Sequence, residues 1–493
     1  MNHVGSSMNN LVSETHNDAG ENNVKVQDSE VAIRPLFASY EKQKGAYLDA
    51  PEPSYGQRMQ DLHTLKQMLK VHRRDIKEAI DADYGSRSAI ETSVADIGSS
   101  CAFINDISKH LKKWMKPQKR RVKHMKFPGA KNRVIPQPLG VVGVIVPWNF
   151  PVYLSISPIA TAFAAGNRVM VKMSENSRNL AKVMMEISPQ YFPPEKLAFF
   201  DETGGVGIEF STVPFDLLMF TGSPDTAKSV MASAAQNLTP VILELGGKNP
   251  VVIDPQYPLK KAINRIVFAK QTNAGQVCLN VDYVFVHKSQ VRDFVELTKL
   301  TTRQMVPDIN NKDFSAIIDD KSVRRLEEML TDAKKKGARV INLSEQDIDY
   351  KARKFPFHLV LDPTPEMQIS QREIFGPIMV VRSYKNPDEI IRYINAGERP
   401  LGLYVFSRDK KLIQRYISNT MSGGVSVNET GLHAAQDDLP FGGVGGSGMG
   451  QYHGYDGFVS FSKMRPVFYQ SRFSIVAFMT PPYKGRMRRA LEK

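Results

Sequence analysis

The stretch GVVGVIVPWNFPVYLSISPIATAFAAGNRVMVKM, Gly140 to Met173, decides the fold. It opens on a short β-branched run, Val141–Val146, and closes on another, Arg168–Met173. Between them, Val152–Ala165 is long and apolar enough for a buried helix. From Val134 to Asn167 there is no charged residue, which raises the question of a membrane span. Pro147 and Pro151 interrupt that segment in its middle, and Gly140 and Gly143 lie in its first half. A buried strand, a turn and a buried helix therefore fit better than one transmembrane helix.

The alternation continues downstream. Leu197–Asp201, Leu217–Phe220 and Val241–Leu245 read as strands, Arg178–Ile187 and Pro224–Ala235 as helices. Strands that are apolar throughout, each followed by a helix, mean a parallel sheet covered on both faces, with ligands at the carboxyl ends of the strands. A second alternating region runs from Pro258 to about Val425, with strands Asp282–His287 and Ile378–Tyr384 and a helix near Gln290–Leu300. Upstream, Leu62, Leu65, Leu69, Ile76 and Ile80 recur at helical spacing from Met59 to Ala82, and Gly85 is a natural stop. After Tyr455, the β-like stretch FVSFSKMRPVFYQ suggests an outlying strand that pairs with another subunit.

With 493 residues the chain exceeds one ordinary core, so two or three domains are expected. Its 42% hydrophobic and 24% charged residues fit a soluble globular protein. The first thirty or so residues lack an apolar secretory core and read as a disordered tail. Only two cysteines are present, Cys101 and Cys278, which points to a reducing, cytoplasmic setting without a structural disulfide. No metal site is expected.

The formal charge of +14 is local: Lys109 to Arg133 holds eleven Lys or Arg and no acid. A solvated or subunit-facing connector is the preferred reading over a polyanion site or a peripheral contact with an anionic membrane. No RNA or DNA motif accompanies the stripe, so nucleic-acid binding is a minor reading.

Three segments carry candidate chemistry. In QTNAGQVCLN, Gln271 to Asn280, Gly275 and small polar residues before Cys278 suit a backbone that lets a substrate approach closely. An isolated cysteine is more often inert, and Cys101, in a helical pattern, illustrates that case. In LELGGKNP, Glu244 ends an apolar strand. Partial desolvation there raises a carboxyl pKa and makes a useful base, unless the residue merely caps or pairs. In PWNFP, Asn149 is pinned between two prolines, either as a rigid donor for an oxyanion or as an ordinary turn.

GVVGVIVPWNFP, VKMSE, FTGS, LELGGK, GQVC, EIFGP and LPFGGVGGSGMG occur in an order that resembles the aldehyde dehydrogenase superfamily, over about Val31 to Tyr469. The YHG at Tyr452 to Gly454 and the Thr239–Pro240 pair are similar to its class 3 and coniferyl-aldehyde dehydrogenase branch. The resemblance implies an α/β fold with a Rossmann-like parallel-sheet cofactor-binding domain, a second α/β catalytic domain and a small β oligomerisation segment. The expected division is a tail over 1–33, cofactor binding by 34–113 and 134–245, and catalysis by 246–430. Connector and oligomerisation segments follow at 114–133 and 455–475, with a basic C-terminal tail at 476–493.

It also implies roles. Cys278 attacks the aldehyde, Asn149 and the Cys278 N–H hold the oxyanion, and Glu244 activates the hydrolytic water. For the cofactor, Lys172 and Glu175 bind the adenosine ribose, Gly222 and Ser223 face the pyrophosphate, and Glu373, Phe375 and Trp148 take the nicotinamide end. NAD is the expected cofactor, with NADP also accepted by relatives, and a homodimer is the expected assembly. The substrate is a hydrophobic aldehyde, aromatic such as coniferyl aldehyde or medium-to-long-chain aliphatic. The alternatives are a CoA-acylating dehydrogenase and a non-redox thiol esterase. Gly443 to Gly448 satisfies G-x-G-x-x-G, but lacks a strand-then-helix context and is set aside as a nucleotide motif. The chain departs from the family at Met173–Ser174, where Pro and a small residue are usual.

Overall fold

Val141–Ile145 lies near the middle of a six-stranded sheet, and all of its residues are buried. This computed structural model describes residues 19–472 with Ser474, Pro481 and Arg489, and side chains from Arg34 onward. Most of the proposed basic tail and residues 1–18 lie outside the described residues. The sheet order is Gly448–Met449, Val241–Glu244, Leu217–Thr221, Val141–Ile145, Arg168–Lys172, Leu197–Phe200. All neighbours are parallel except Gly448–Met449, which joins the edge antiparallel. The chain builds outward on one side of Val141–Ile145, then returns to the other. The topological switch point therefore falls between Val141–Ile145 and Leu217–Thr221, and the crevice opens past their carboxyl ends. The helices Tyr153–Ala165, Arg178–Ile187 and Pro224–Ala235 connect these strands.

A second sheet has seven strands in the order Arg339–Asn342, His358–Leu361, Ile378–Tyr384, Val281–His287, Asn249–Ile253, Gly402–Phe406, Gly424–Val427. It is parallel apart from its first edge strand. Helices Leu259–Gln271 and Val291–Met305 flank it. The α/β fold class holds, with two mainly parallel sheets.

Three expectations need correction. The stretch FVSFSKMRPVFYQ is not strand throughout: Gly454–Ser460 is helical, because Phe458 is drawn into the core against Trp114. Ser462–Tyr469 is a strand, and it pairs antiparallel with Lys131–Pro138 of the same chain, in a three-stranded sheet completed by Gln118–Arg120. The helix expected over Met59–Ala82 is two, Tyr55–Val71 and Arg73–Tyr84, broken at His72, whose ring meets Tyr191 edge-on. Finally, the helix Ala19–Asp49 begins inside the stretch read as a tail. Its docked part buries Leu36 and Tyr40, and Gln43 donates to the Val169 and Pro194 carbonyls. Once that nucleus is fixed, each added residue costs little, so polar composition alone does not end the helix.

The basic stripe, Lys109 to Arg133, closes the helix Ser99–Trp114, includes Gln118–Arg120 and ends within the strand Lys131–Pro138. Its aromatics are engaged internally, Trp114 with Phe458 and Phe127 with Phe468. Among the described residues no helix is long and apolar enough to cross a membrane.

Candidate active site

The chain reaches Cys278 through a strained turn. After Leu259–Gln271, Asn273, Ala274 and Gly275 are all left-handed, with φ of 49, 50 and 77°. For a residue with a Cβ that conformation costs about 1–2 kcal/mol, so the surroundings must hold it. Glu91 accepts the Asn273 N–H at 2.9 Å. The Gln276 amide donates to the Asn273 and Ala316 carbonyls, each at 3.0 Å, and accepts the Ile318 N–H at 2.9 Å. Gly275 is required for space as well, since a Cβ would lie 2.4 Å from the Gly376 oxygen. Beyond the cysteine, Asn249 donates to the Cys278 and Asn280 carbonyls at 2.7 and 3.0 Å, and the Tyr404 hydroxyl donates to the Leu279 carbonyl at 2.7 Å. The nucleophile candidate thus sits on a backbone fixed from both sides, with its own side chain half-buried.

Burial pushes the Cys278 thiol up to about 12, and the fields of Glu373 and Glu244 add to it, while the N–H groups of Leu279 and Cys278 oppose them. Glu244 ends the strand Val241–Glu244; it is buried, and among the described residues neither carboxylate oxygen has a hydrogen-bond partner. Burial holds its pKa well above the ordinary carboxylate range. Glu373 is pushed up to about 8 by burial, against the pull of the Gly247 N–H. Its carboxylate occupies the space that a Cβ on Gly246 would fill, 2.2 Å away. Two acids with raised pKa values therefore act on one sulfur, a pattern common where protons are moved near neutral pH. Among the described residues no group of three or more His, Cys, Asp or Glu is arranged to hold a metal ion.

Asn149 follows the central strand and is buried. Its Nδ2 donates to the Gln276 carbonyl at 3.3 Å, which ties the PWNFP turn to the cysteine segment. Because that acceptor fixes which end of the amide carries the hydrogens, the second N–H is left for another partner.

The other predicted residues line the carboxyl edge of the first sheet. Lys172 ends the strand Arg168–Lys172 and is ion-paired with Glu202 rather than with Glu175, which is exposed and accepts from Ser174 at 3.3 Å. Met173, at the departure from the family pattern, is a fully buried core residue. Gly222 follows Leu217–Thr221 and donates to the Glu244 carbonyl at 3.0 Å. Ser223 caps Pro224–Ala235 by accepting the Thr226 N–H at 3.3 Å. Trp148 and Phe375 meet edge-to-face with ring centres 5.6 Å apart. Phe375 is left-handed at φ 48°, and Arg325 holds the Ile374 carbonyl beside it at 2.8 Å. Lys248 braces the same loop: it pairs with Asp282 and donates to the Ile369 and Arg372 carbonyls at 2.8 and 3.0 Å.

Sequence reasoning assigned no role to Glu202, Asn249, Gln276 or Tyr404. Asn249 carried a usable signal, a polar residue opening an otherwise apolar strand, since a buried amide must find partners. In the Gly443–Gly448 loop, Gly448 pairs with Glu244, and the Ser447 carbonyl accepts the Leu245 N–H at 3.1 Å.

Comparison with known proteins fits this geometry. The model of the aldehyde dehydrogenase family matches residues 38–467. The chain is 43% identical to the "Probable coniferyl aldehyde dehydrogenase" of Pseudomonas aeruginosa, over 95% of this chain and 98% of that protein. It is 38% identical to "Aldehyde dehydrogenase family 3 member A2" of Mus musculus, with 83% of each chain covered. Among solved structures, the "Substrate bound state of Staphylococcus Aureus AldH" superposes with a TM-score of 0.86 at 32% identity, over 93% of this chain and 99% of that one. The chain belongs to the aldehyde dehydrogenase family and is an oxidoreductase acting on aldehydes.

Proposed function

We propose that the protein oxidises a hydrophobic aldehyde to its carboxylic acid through a thioester on Cys278, with NAD as the preferred cofactor and NADP accepted. The observation that carries this reading is the fixed backbone of Cys278 beside Glu244, a buried carboxylate with both oxygens unpartnered among the described residues. A carboxylate so placed can accept from a water and take its proton.

The carboxyl edge fits a dinucleotide. It offers the Lys172 ammonium, the amino end of Pro224–Ala235 for a pyrophosphate, and the aromatic pair Trp148–Phe375 with Glu373 for the far ribose and ring. Bound there, the cofactor supplies the hydride acceptor. The protein's own residues do the rest. Since the thiol is held neutral, its proton passes to Glu373, the carboxylate whose field on the sulfur is the larger, as the C–S bond forms. Asn149 and the Cys278 N–H stabilise the oxyanion of the thiohemiacetal. With the hydride removed, the acyl carbon stays on sulfur as a thioester. Glu244 takes a proton from the water that attacks it and passes it to the departing sulfur, releasing the acid and restoring the thiol, while the proton first lost from Cys278 goes to solvent.

The names of the relatives favour an aromatic aldehyde such as coniferyl aldehyde. Glu175, exposed at the adenosine end, disfavours a 2′-phosphate and supports NAD. Dimerisation is proposed through 114–133 and 455–475, where Ser462–Tyr469 is the edge strand of its sheet. Steady-state rates for coniferyl aldehyde, benzaldehyde and decanal with each cofactor, with and without CoA, test the reading. Free acid with NAD and no CoA requirement is expected. Acyl-CoA as the main product, or ester cleavage without any cofactor reduction, contradicts it.

A further inference from the structure

Most polar groups beneath the PWNFP turn address the backbone of Asn149 rather than its amide. The Asn149 carbonyl accepts from three side chains: Asn273 Nδ2 at 3.1 Å, the Tyr84 hydroxyl at 3.2 Å and Arg87 Nη1 at 3.3 Å. The Tyr84 hydroxyl in turn accepts from Arg87 Nη1 at 3.0 Å and Asn273 Nδ2 at 3.2 Å. Burial raises the Tyr84 pKa to about 12, so the hydroxyl keeps the proton it donates. Just past the turn, Asp96 accepts the N–H groups of Val152 and Tyr153, each at 3.2 Å.

Arg87 is the unusual member of this set. Its side chain is fully buried, lying 4.8 Å from the Tyr84 ring centre and 5.0 Å from that of Phe150. Asp96 and Glu91 face it at 3.8 Å, and among the described residues its Nε and Nη2 have no hydrogen-bond acceptor. A buried guanidinium with a half-used fork is a costly core filler, for which an apolar side chain of similar volume would serve better. What Arg87 holds explains its presence. Asn273 joins the same carbonyl to the cysteine loop, because its Nδ2 also donates to the Gln276 oxygen at 3.1 Å. The Asn149 amide and the Cys278 segment are therefore referenced to one buried cluster.

We infer that Arg87 is a positioning residue for aldehyde oxidation: with Tyr84 and Asn273 it clamps the Asn149 backbone and so aims the side-chain amide relative to Cys278. The inference rests on the oxyanion reading of Asn149, and a double-mutant cycle separates the two. Arg87→Met, Asn149→Ala and the double variant are compared for kcat, aldehyde KM, NADH affinity by fluorescence titration and melting temperature. Arg87→Met is expected to lower kcat by about 10- to 100-fold, the scale of a small misplacement, with aldehyde KM and NADH affinity nearly unchanged. In the Asn149→Ala background the same substitution is expected to change kcat by less than about twofold, because neighbours that act through one group are not additive. Tyr84→Phe removes one hydroxyl from the cluster and is expected to show the same pattern at smaller size; it decides the question if Arg87→Met does not fold. Equal losses in both backgrounds, or no loss in either, overturn the inference. An Asn149→Ala enzyme with full activity overturns the oxyanion reading itself and takes the clamp with it.

Discussion

Cys101 and Cys278 are both half-buried thiols, and burial raises the pKa of each, yet their electrical surroundings are opposite. After burial, the charges acting on Cys101 are Lys70, Lys66 and Arg73, which favour the thiolate. Those acting on Cys278 are Glu373 and Glu244, which oppose it. By the sign of the neighbouring charges alone, Cys101 is the better placed to hold a thiolate. What it lacks is a place for negative charge to go. It sits near the start of the helix Ser99–Trp114, in a continuous helical stretch whose backbone N–H groups are largely committed to helix bonds. Cys278 sits on a strained loop with N–H groups at its sulfur and Asn149 tied to its approach. If Cys278 is the nucleophile proposed above, the contrast teaches that its reactivity is built around the transition state, not around a resident thiolate.

The largest effect separates the two thiols outright. Cys278→Ser is expected to abolish aldehyde oxidation, whereas Cys101→Ser leaves kcat within about twofold, as for a residue away from the chemistry. Loss of activity in both variants would erase the distinction. Next comes Glu244→Gln, expected to slow steady-state turnover by about 10²–10⁴-fold, the range for a general base. Hydride transfer survives, so rapid mixing should show a burst of reduced cofactor before the slow phase. Asn149→Ala is expected to cost roughly 10²–10³-fold in kcat, the usual loss for one oxyanion donor.

A smaller effect tests the electrostatics directly. A nearby negative charge raises the pKa of an acid, so replacing Glu244 by Gln lowers that of the Cys278 thiol. At a fixed alkaline pH below about 12, the thiolate fraction rises, and iodoacetamide should modify Cys278 several-fold faster in Glu244→Gln than in the parent. The rate at Cys101 should not move. The smallest change is expected for Glu175→Gln, a few-fold gain in kcat/KM for NADP relative to NAD, because an exposed charge is largely screened.

Legibility in the sequence followed burial. Arg178–Ile187, Pro224–Ala235 and Ile378–Tyr384 match their sequence expectation to the residue, and the parallel strands of the first sheet do so within one. Apolar runs enclosed on both faces leave a pattern that local reading captures. The break at His72, the helix at Gly454–Ser460 and the early start at Ala19 depend on what packs against them. The positions of Cys278, Glu244 and Asn149 were legible as punctuation: a cysteine after a glycine-rich turn, an acid at a strand end, an Asn between prolines. Their supports were not. Tyr404 reaches Leu279 across 125 residues, and Lys172 finds Glu202 from a neighbouring strand end, contacts that no local spacing encodes.

The most direct test of Cys278 as the acylated nucleophile is peptide mass spectrometry of the Glu244→Gln variant, quenched in acid after mixing with coniferyl aldehyde and NAD. An adduct equal to the aldehyde less two hydrogens, on the peptide bearing Cys278, is the expected result. An adduct confined to Cys101, or an unmodified Cys278 in enzyme that has reduced its cofactor, contradicts the account.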